Sequence, residues 1–511
     1  MASGYFAAPL LLALVLYWPG LTAWFQKDDF ALLGLRDMAQ NQGLGWALFV
    51  PIAQGTIRTL SERVFFLSFS TIFGIHALPF HCWAFLTFAA TLPLLSSVCT
   101  KLTGSRGAGF WAAVLWTANS GLAAVLSWTA VYYELLCSFF FLAGFWLLLR
   151  YAETGERRFY FAQCTTFLLG FGVLELNVVY PALATVYALC CARRMVLKIV
   201  PWFAISAVYT AVHLAVAPLP SSGPYKTYWD SSMLSTLWTY WKWALGPSRL
   251  IWLGVQPSPL RSSLTVFLTL GLIGFLVWKL LSRQWEAALF PAWFVIALAP
   301  FLPFRDHVDE SYLPVPLIGL AMWGAWSLVS AWRTGMAGRV VAVSLLGIYL
   351  CVSTPVSRAI AISFHDHSQE IRRMVLGVVV LSRAQPEKMV LLKNVETEMF
   401  WSGVYGRPFR LFGVREVYLA PEDAQRIAPG AQLAYAQPLF ADPVAVRSAL
   451  DRGLALVLDL SGGHIRDITD SYRLSTEIQG STGTRPRVDV GNERGAGQLG
   501  STRYPSKGGF R

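Results

Sequence analysis

Apolar residues in this chain run in long unbroken blocks instead of alternating with polar ones. Phe110 to Tyr133, Ser262 to Trp278 and Tyr312 to Ala331 contain no Lys, Arg, Asp or Glu. A helix crosses a bilayer with about 20 apolar residues, so each block is a candidate span. The alternating, turn-punctuated strands of an outer-membrane barrel are absent. The pattern predicts about 11 transmembrane helices, over 5–25, 79–100, 108–127, 132–150, 159–174, 176–192, 198–217, 262–281, 287–304, 312–332 and 339–356. The connection at 174–176 is so short that either its two helices form a tight hairpin or their bounds lie elsewhere.

Polar residues between the blocks set the orientation. Five short connections are basic: Lys101 to Arg106, Arg150 to Arg158, Arg193 to Lys198, Lys279 to Arg283, and Arg333 to Arg339. The positive-inside rule puts all five in the cytoplasm. An odd number of helices then leaves the N-terminus inside and everything beyond 357 outside. The first block, Tyr5 to Phe25, lacks a basic leader and a clean small-residue cleavage site, so it reads as an uncleaved helix.

Composition supports this picture. Only 14% of residues are charged and 55% are hydrophobic, against roughly 25% charged in soluble proteins, which excludes a cytosolic enzyme. The net charge of +12 is spent on the inner connections and a C-terminal tail, so no nucleic-acid site is expected. The seven cysteines lie in or beside apolar blocks and form neither a disulfide framework nor a zinc motif.

The outer side receives three loops and a domain. The first loop, 26–78, begins with Asp28 and Asp29 and contains two interfacial stretches, Phe30 to Gln40 and Ser61 to Phe73, the second of which is alternatively re-entrant. The second, 218–261, is rich in Trp, Tyr and Pro, as headgroup-level segments are. The third, Phe304 to Ser311, concentrates Arg305, Asp306, His307, Asp309 and Glu310. Residues 357–477 read as a small soluble α/β domain with strands at Met389 to Leu392, Phe409 to Phe412 and Leu454 to Leu458, and 478–511 as a disordered basic tail. The fold class expected is thus an all-α polytopic membrane protein, residues 1–356, followed by a small α/β domain.

The sharpest chemical signal is Trp24-Phe25-Gln26-Lys27-Asp28-Asp29-Phe30, where the first helix leaves the membrane. Two adjacent carboxylates at a membrane boundary are costly to desolvate, and one kept at a raised pKa suits general-base work. The bland alternative is a solvated helix start, with Asp28 as N-cap and Asp29 complementing the dipole. Glu134 and Glu175 fall near the outer ends of their helices, where they line a cavity or are simply hydrated. A divalent metal at Asp306, His307, Asp309 and Glu310 is the alternative to a solvated helix-start cluster, which explains these acids better; no cofactor is certain.

A first helix ending in an acidic pair, a long first outer loop, many helices with basic inner turns and a small outer C-terminal domain together resemble the GT-C superfamily of membrane glycosyltransferases. That superfamily includes the protein O-mannosyltransferases and aminoarabinose transferases. The resemblance spans roughly residues 10–330. Ile57-Arg58-Thr59-Leu60, the run through Arg63 to Phe66, and Phe73-Gly74 to Pro79-Phe80-His81 are similar to first-loop elements of the O-mannosyltransferases that carry tetratricopeptide repeats, with Thr59 in place of their Pro. Ser127-Trp128-Thr129 and Glu134-Leu135-Leu136 resemble their outer turn between the third and fourth helices. Leu174-Glu175-Leu176 with Pro181 is similar to a Lys-Glu element, with Leu174 replacing the Lys, and Asp309 to Pro314, including Tyr312, to an element opening a late helix.

The resemblance implies an inverting transferase that takes a sugar from a polyprenyl-phosphate carrier to a lipid, envelope glycan or protein acceptor on the outer face. It implies that Asp28 or Asp29 acts as, or positions, the base that deprotonates the acceptor. Arg58, Arg63 or Arg305 would meet the leaving phosphate through forked hydrogen bonds, the alternative for each being headgroup anchoring. His81, Glu134, Glu175 and Tyr312 would line the substrate site. Besides substrates, membrane lipids are the expected partners, and the bacterial inner membrane the expected location. A lipid-linked glycan transporter or flippase would show polar mid-helix residues or broken, repeated helices, whereas a non-catalytic scaffold would tolerate removal of the acidic pair.

Overall fold

The structure is a computed structural model that describes residues 2–51, 56–427 and 436–481. The chain divides into two compact units: one formed by residues up to 377 together with 397–413, the other by 378–396 and the residues from 414 on.

In the first unit a helix stands at each of the eleven positions expected. They are α1 (Ala2–Leu21), α2 (Ala77–Thr103), α3 (Arg106–Ala118), α4 (Tyr132–Thr154), α5 (Arg157–Gly170), α6 (Tyr180–Cys191), α7 (Val196–Val216), α8 (Pro259–Leu281), α9 (Leu289–Leu298), α10 (Pro314–Trp332) and α11 (Met336–Ala384). Among the described residues six of these, α2, α4, α7, α8, α10 and α11, are long and apolar enough to cross a membrane. A seventh span arises if α3 and the bent continuation Ser120–Ser127 count together. The described part of α1, and α6 and α9 with their flanking turns, are shorter apolar helices.

The break after α3 turns the chain by 63°. Asn119 makes it: its Oδ1 accepts the Gly121 N–H, while its Nδ2 donates to the Ala244 carbonyl and the Tyr349 hydroxyl, both at 2.8 Å. Tyr17 of α1 donates to the Thr117 and Asn119 carbonyls freed at the same break, so the polar groups that a bend exposes are satisfied inside the bundle. The segment after the bend, Ala123–Ser127, lies tight against α1. A Cβ at Gly20 would sit 2.4 Å from the Leu126 carbonyl oxygen and 2.7 Å from Ser127 Oγ, closer than any side chain allows.

α11 does not stop at 356. Its residues run to Ala384, and at 1.5 Å each they span about 73 Å, more than twice a hydrocarbon core of about 30 Å. The boundary expected at 357 therefore falls inside a helix: the composition turns polar there because the helix leaves the apolar layer, not because it ends. Its extension holds the exit of α1, with Ser368 Oγ accepting from Trp24 N at 2.8 Å and Gln369 donating to the Thr22 carbonyl.

The second unit is built on β1 (Met389–Lys393), β2 (Val417–Leu419), β3 (Ala455–Asp459) and β4 (Arg466–Asp467), in the order β2-β1-β3-β4. β1 pairs parallel with both neighbours and β4 pairs antiparallel with β3. Helices α12 (Pro443–Asp451) and α13 (Thr469–Ser481) close one face over Leu391, Val446, Leu450, Val457 and Tyr472. The strand expected at Phe409 to Phe412 is instead a 3-10 turn, Pro408–Phe412, belonging to the first unit. Pro408 cannot donate to a ladder, and Arg407 enters at φ +56, which breaks an extended chain. Helix α13 covers 478–481, and the rest of the expected disordered tail lies outside the described residues.

Gly20→Ala should cost about 1–3 kcal/mol through overpacking. Gly274→Ala in α8, where an added Cβ meets nothing, should be neutral or gain up to about 1 kcal/mol. Thermal unfolding in detergent separates the two; equal midpoints would refute the tight α1 contact.

Candidate active site

After α1 the chain turns sharply. Lys27 adopts a left-handed backbone at φ 54, uncommon for a residue with a side chain. It is held there from several directions. Its N–H donates to the Ser402 carbonyl at 2.6 Å, and its ammonium lies 4.5 Å over the Trp128 ring and 5.3 Å over that of Phe364. This turn sends the two following carboxylates in different directions.

Asp29 is fully buried. Its Oδ2 accepts from Gln26 N at 2.9 Å and its Oδ1 from Ala130 N at 2.6 Å, so it ties the first loop to the start of α4. Burial pushes its carboxyl well above the usual carboxylate range, opposed by those two N–H groups. Asp28 differs. It makes no side-chain cap bond to the short helix Asp29–Leu33 that it precedes, and its carboxylate opens into a cavity. The protein around that cavity raises the Asp28 pKa by desolvation, against the pull of Lys27, Arg58 and His307. Asp28 is itself exposed, and it lines the cavity. Asp28 is thus not a side-chain N-cap, and Asp29 spends its carboxylate on Gln26 and Ala130.

The cavity has a volume of about 380 Å³. Asp28, Arg58, Glu62, Glu134, Glu175 and Tyr312, all but one foreseen as site residues, line it. Arg58 Nε donates to Glu175 and Nη1 to Glu62, each at 2.9 Å, and the guanidinium lies 4.0 Å over the Tyr133 ring. Burial alone would lower the Arg58 pKa, but Glu175 and Glu62 raise it further than burial lowers it, so the group stays charged. Burial raises Glu62, with Arg58 opposing. Glu134 is fully buried, and among the described residues neither of its carboxylate oxygens has a hydrogen-bond partner. Four carboxyl groups therefore share the lining with one guanidinium.

The outer segments supply the rest of the wall. Tyr312 stacks on Phe301 at 4.2 Å and 6°, and Tyr225 of the second loop, which also lines the cavity, packs 4.3 Å from the His307 ring. Burial lowers the His307 pKa, with Asp309 and Asp28 opposing.

Three expected site residues lie elsewhere. Arg63 donates to the main-chain oxygens of Ala47, Val50 and Thr56 at 3.0 to 3.4 Å, so its fork closes the helix Leu44–Phe49 and is not free for a phosphate. His81 is buried, 3.5 Å from Thr129 Oγ1, and is not part of the lining. Arg305 lies 3.6 Å over the Tyr228 ring, beside Asp306 and outside the lining. Among the described residues no three His, Cys, Asp or Glu groups are placed to hold a metal ion: Asp309 instead caps Ser311, and Glu310 pairs with Arg249, so a divalent metal does not fit that cluster. Glu62, Tyr133 and Tyr225 are lining residues that the sequence did not single out. Only Glu62 left a signal there, its spacing of four from Arg58 in a helical stretch.

No family model and no curated protein matches the chain. Among solved structures it is similar to ArnT from Cupriavidus metallidurans in the apo state, with 11% identity and a TM-score of 0.48 over 90% of this chain and 93% of that one. It is also similar to ArnT from Cupriavidus metallidurans bound to undecaprenyl phosphate, with 12% identity and a TM-score of 0.46 over the same shares. What the cavity can do chemically follows from its own residues.

Asp29→Ala leaves two buried N–H groups without an acceptor and should cost about 1–3 kcal/mol. Asp28→Asn should leave stability within about 0.5 kcal/mol. Unfolding midpoints of the two variants in detergent test this; a larger loss for Asp28→Asn would contradict the division of labour.

Proposed function

We propose that this chain is an inverting glycosyltransferase of the GT-C type, which moves a sugar from a polyprenyl-phosphate carrier to a hydroxyl of a lipid, envelope glycan or protein on the outer face of the bacterial inner membrane. The observation that carries this reading is a carboxylate, Asp28, with no structural task, opening into a cavity beside a fully occupied twin. A group so placed, with a pKa moved up toward neutrality, is suited to accept a proton.

In the step proposed, Asp28 takes the proton from the acceptor hydroxyl as its oxygen attacks the anomeric carbon from the face opposite the carrier. The bond from that carbon to the phosphate oxygen breaks, and its electron pair leaves on the polyprenyl phosphate. Arg58 is the cation within reach of the developing charge, and an arriving phosphate competes with Glu62 and Glu175 for its fork. Glu134, whose oxygens have no protein partner, accepts hydrogen bonds from the sugar. The excess of carboxyl groups confines the phosphate to the Arg58 side of the cavity, since an anion near Glu134 would meet an uncompensated charge. Arg63 acts indirectly, by fixing the first loop from which Arg58 reaches in.

A transporter or flippase of lipid-linked glycans is the second reading, and a non-catalytic scaffold the third. Both leave unexplained why Asp28 is kept free while Asp29 is fully bonded. In a deletion strain, wild type should restore the missing glycan and Asp28→Asn should not, with the lipid-linked sugar accumulating; mass spectrometry of envelope glycans and polyprenyl-phosphate sugars reads both. Restoration by Asp28→Asn would sink the catalytic reading.

With purified protein, Asp28→Asn should lower kcat by about 10² or more. Because the base must be ionised and its pKa is raised, kcat/KM of the wild type should fall as pH drops through a value above the ordinary Asp range near 4. An acid limb at or below that range would contradict the desolvated setting of Asp28.

A further inference from the structure

The second unit contains a site of its own. From β1 the chain first adds β2 on one side, then returns across β1 to add β3 on the other. In open parallel sheets, ligands collect outside the carboxyl ends of the strands where the winding changes direction, because the connections diverge there and leave a crevice. A cavity of about 600 Å³ opens at that end of β1, within the range of small-molecule sites, roughly 300–1,000 Å³.

Its chemistry is cationic. Lys393, the last residue of β1, has its ammonium 3.1 Å from Glu422 and 4.7 Å from the centre of the Tyr472 ring. The Tyr472 hydroxyl donates to the other Glu422 oxygen at 3.1 Å. Glu422 is therefore engaged twice within the wall and balances Lys393. Arg447, on the second turn of α12, lines the same space. It has no hydrogen-bond, ion-pair or ring partner among the described residues. The nearby Asp442 turns its carboxylate to the Ala445 N–H as the cap of α12 and is not in the lining. The Arg447 guanidinium, unpartnered among the described residues, thus lines the cavity together with Lys393, Pro421 and Val446.

We propose that this crevice binds an organic phosphate. Arg447 engages the phosphate oxygens through its planar fork, Lys393 contributes a point charge from the sheet side, and the apolar part of the ligand rests on Pro421 and Val446. The phosphate belongs either to a soluble phosphomonoester or to a lipid headgroup, and neither source depends on the transferase reading of the first unit.

The test uses the full-length protein and hydrogen exchange across Pro443–Asp451. In neutral nanodiscs of phosphatidylcholine, added glycerol 3-phosphate should slow exchange there if the source is soluble. Nanodiscs containing phosphatidic acid should slow it without any additive if the source is a headgroup. In either case Arg447→Gln, a change at an exposed side chain, should weaken the response at least tenfold with an unchanged unfolding midpoint. Lys393→Gln should weaken it less, because Glu422 already balances that charge. No protection by either ligand, or equal protection in Arg447→Gln, overturns the proposal.

Discussion

The geometry of the membrane unit hangs on one buried carboxylate. Asp29 has no access to solvent and owes its place to two main-chain N–H groups, one from its own turn and one from the start of α4. An ionised group in that position is tolerable only while both donors are present. The requirement fixes the turn at Lys27, which in turn fixes where Asp28 can point. Asp28 is thus aimed by a neighbour whose own carboxylate is fully engaged, and the exit of α1 is held from the other side by α11 through Ser368.

Around Asp28 the charges are arranged in tension. Arg58 is clasped by Glu62 and Glu175 and covered by Tyr133, which keeps a cation stable where burial alone would disfavour it. Glu134 has nothing comparable. An apolar residue of the same size would be cheaper to bury there, and the bonding capacity of both carboxylate oxygens is unspent among the described residues. The aromatic walls, Tyr225 and Tyr312 with Phe301 behind it, keep water scarce enough for these differences to matter.

Much of this was legible in the sequence, and what was missed has physical causes. The apolar blocks marked the positions of α1 to α11, because a helix in lipid needs an unbroken apolar run, whereas the helix Ser232–Leu245 lies in the stretch read as a headgroup-level loop. The acidic pair pointed to the turn from which Asp28 meets the cavity. Nothing in the sequence could say which of two identical neighbours is free, since the answer lies in Ala130, a residue 101 positions away. Arg58 and Arg63 looked equivalent for the same reason: one meets carboxylates and the other meets carbonyl oxygens at a helix end. The end of α11 was misjudged because hydropathy reports the medium around a helix and not its length. The strand expected at 409–412 failed because apolar residues there pack against the first loop's side of the molecule, where Gly406 sits under Phe30, instead of joining a ladder.

The segment 397–413 has a consequence for biosynthesis. The chain enters the second unit at 378, forms β1, and then comes back to contribute the Ser402 carbonyl that clamps Lys27. A chain growing from its N-terminus therefore carries the Asp28 turn unlatched while every helix up to α11 is made, and the latch arrives only after the first strand of the other unit. Until then the left-handed turn at Lys27 lacks one of the contacts that hold it. Shortening the protein at the end of α11 would yield that same unfinished state permanently.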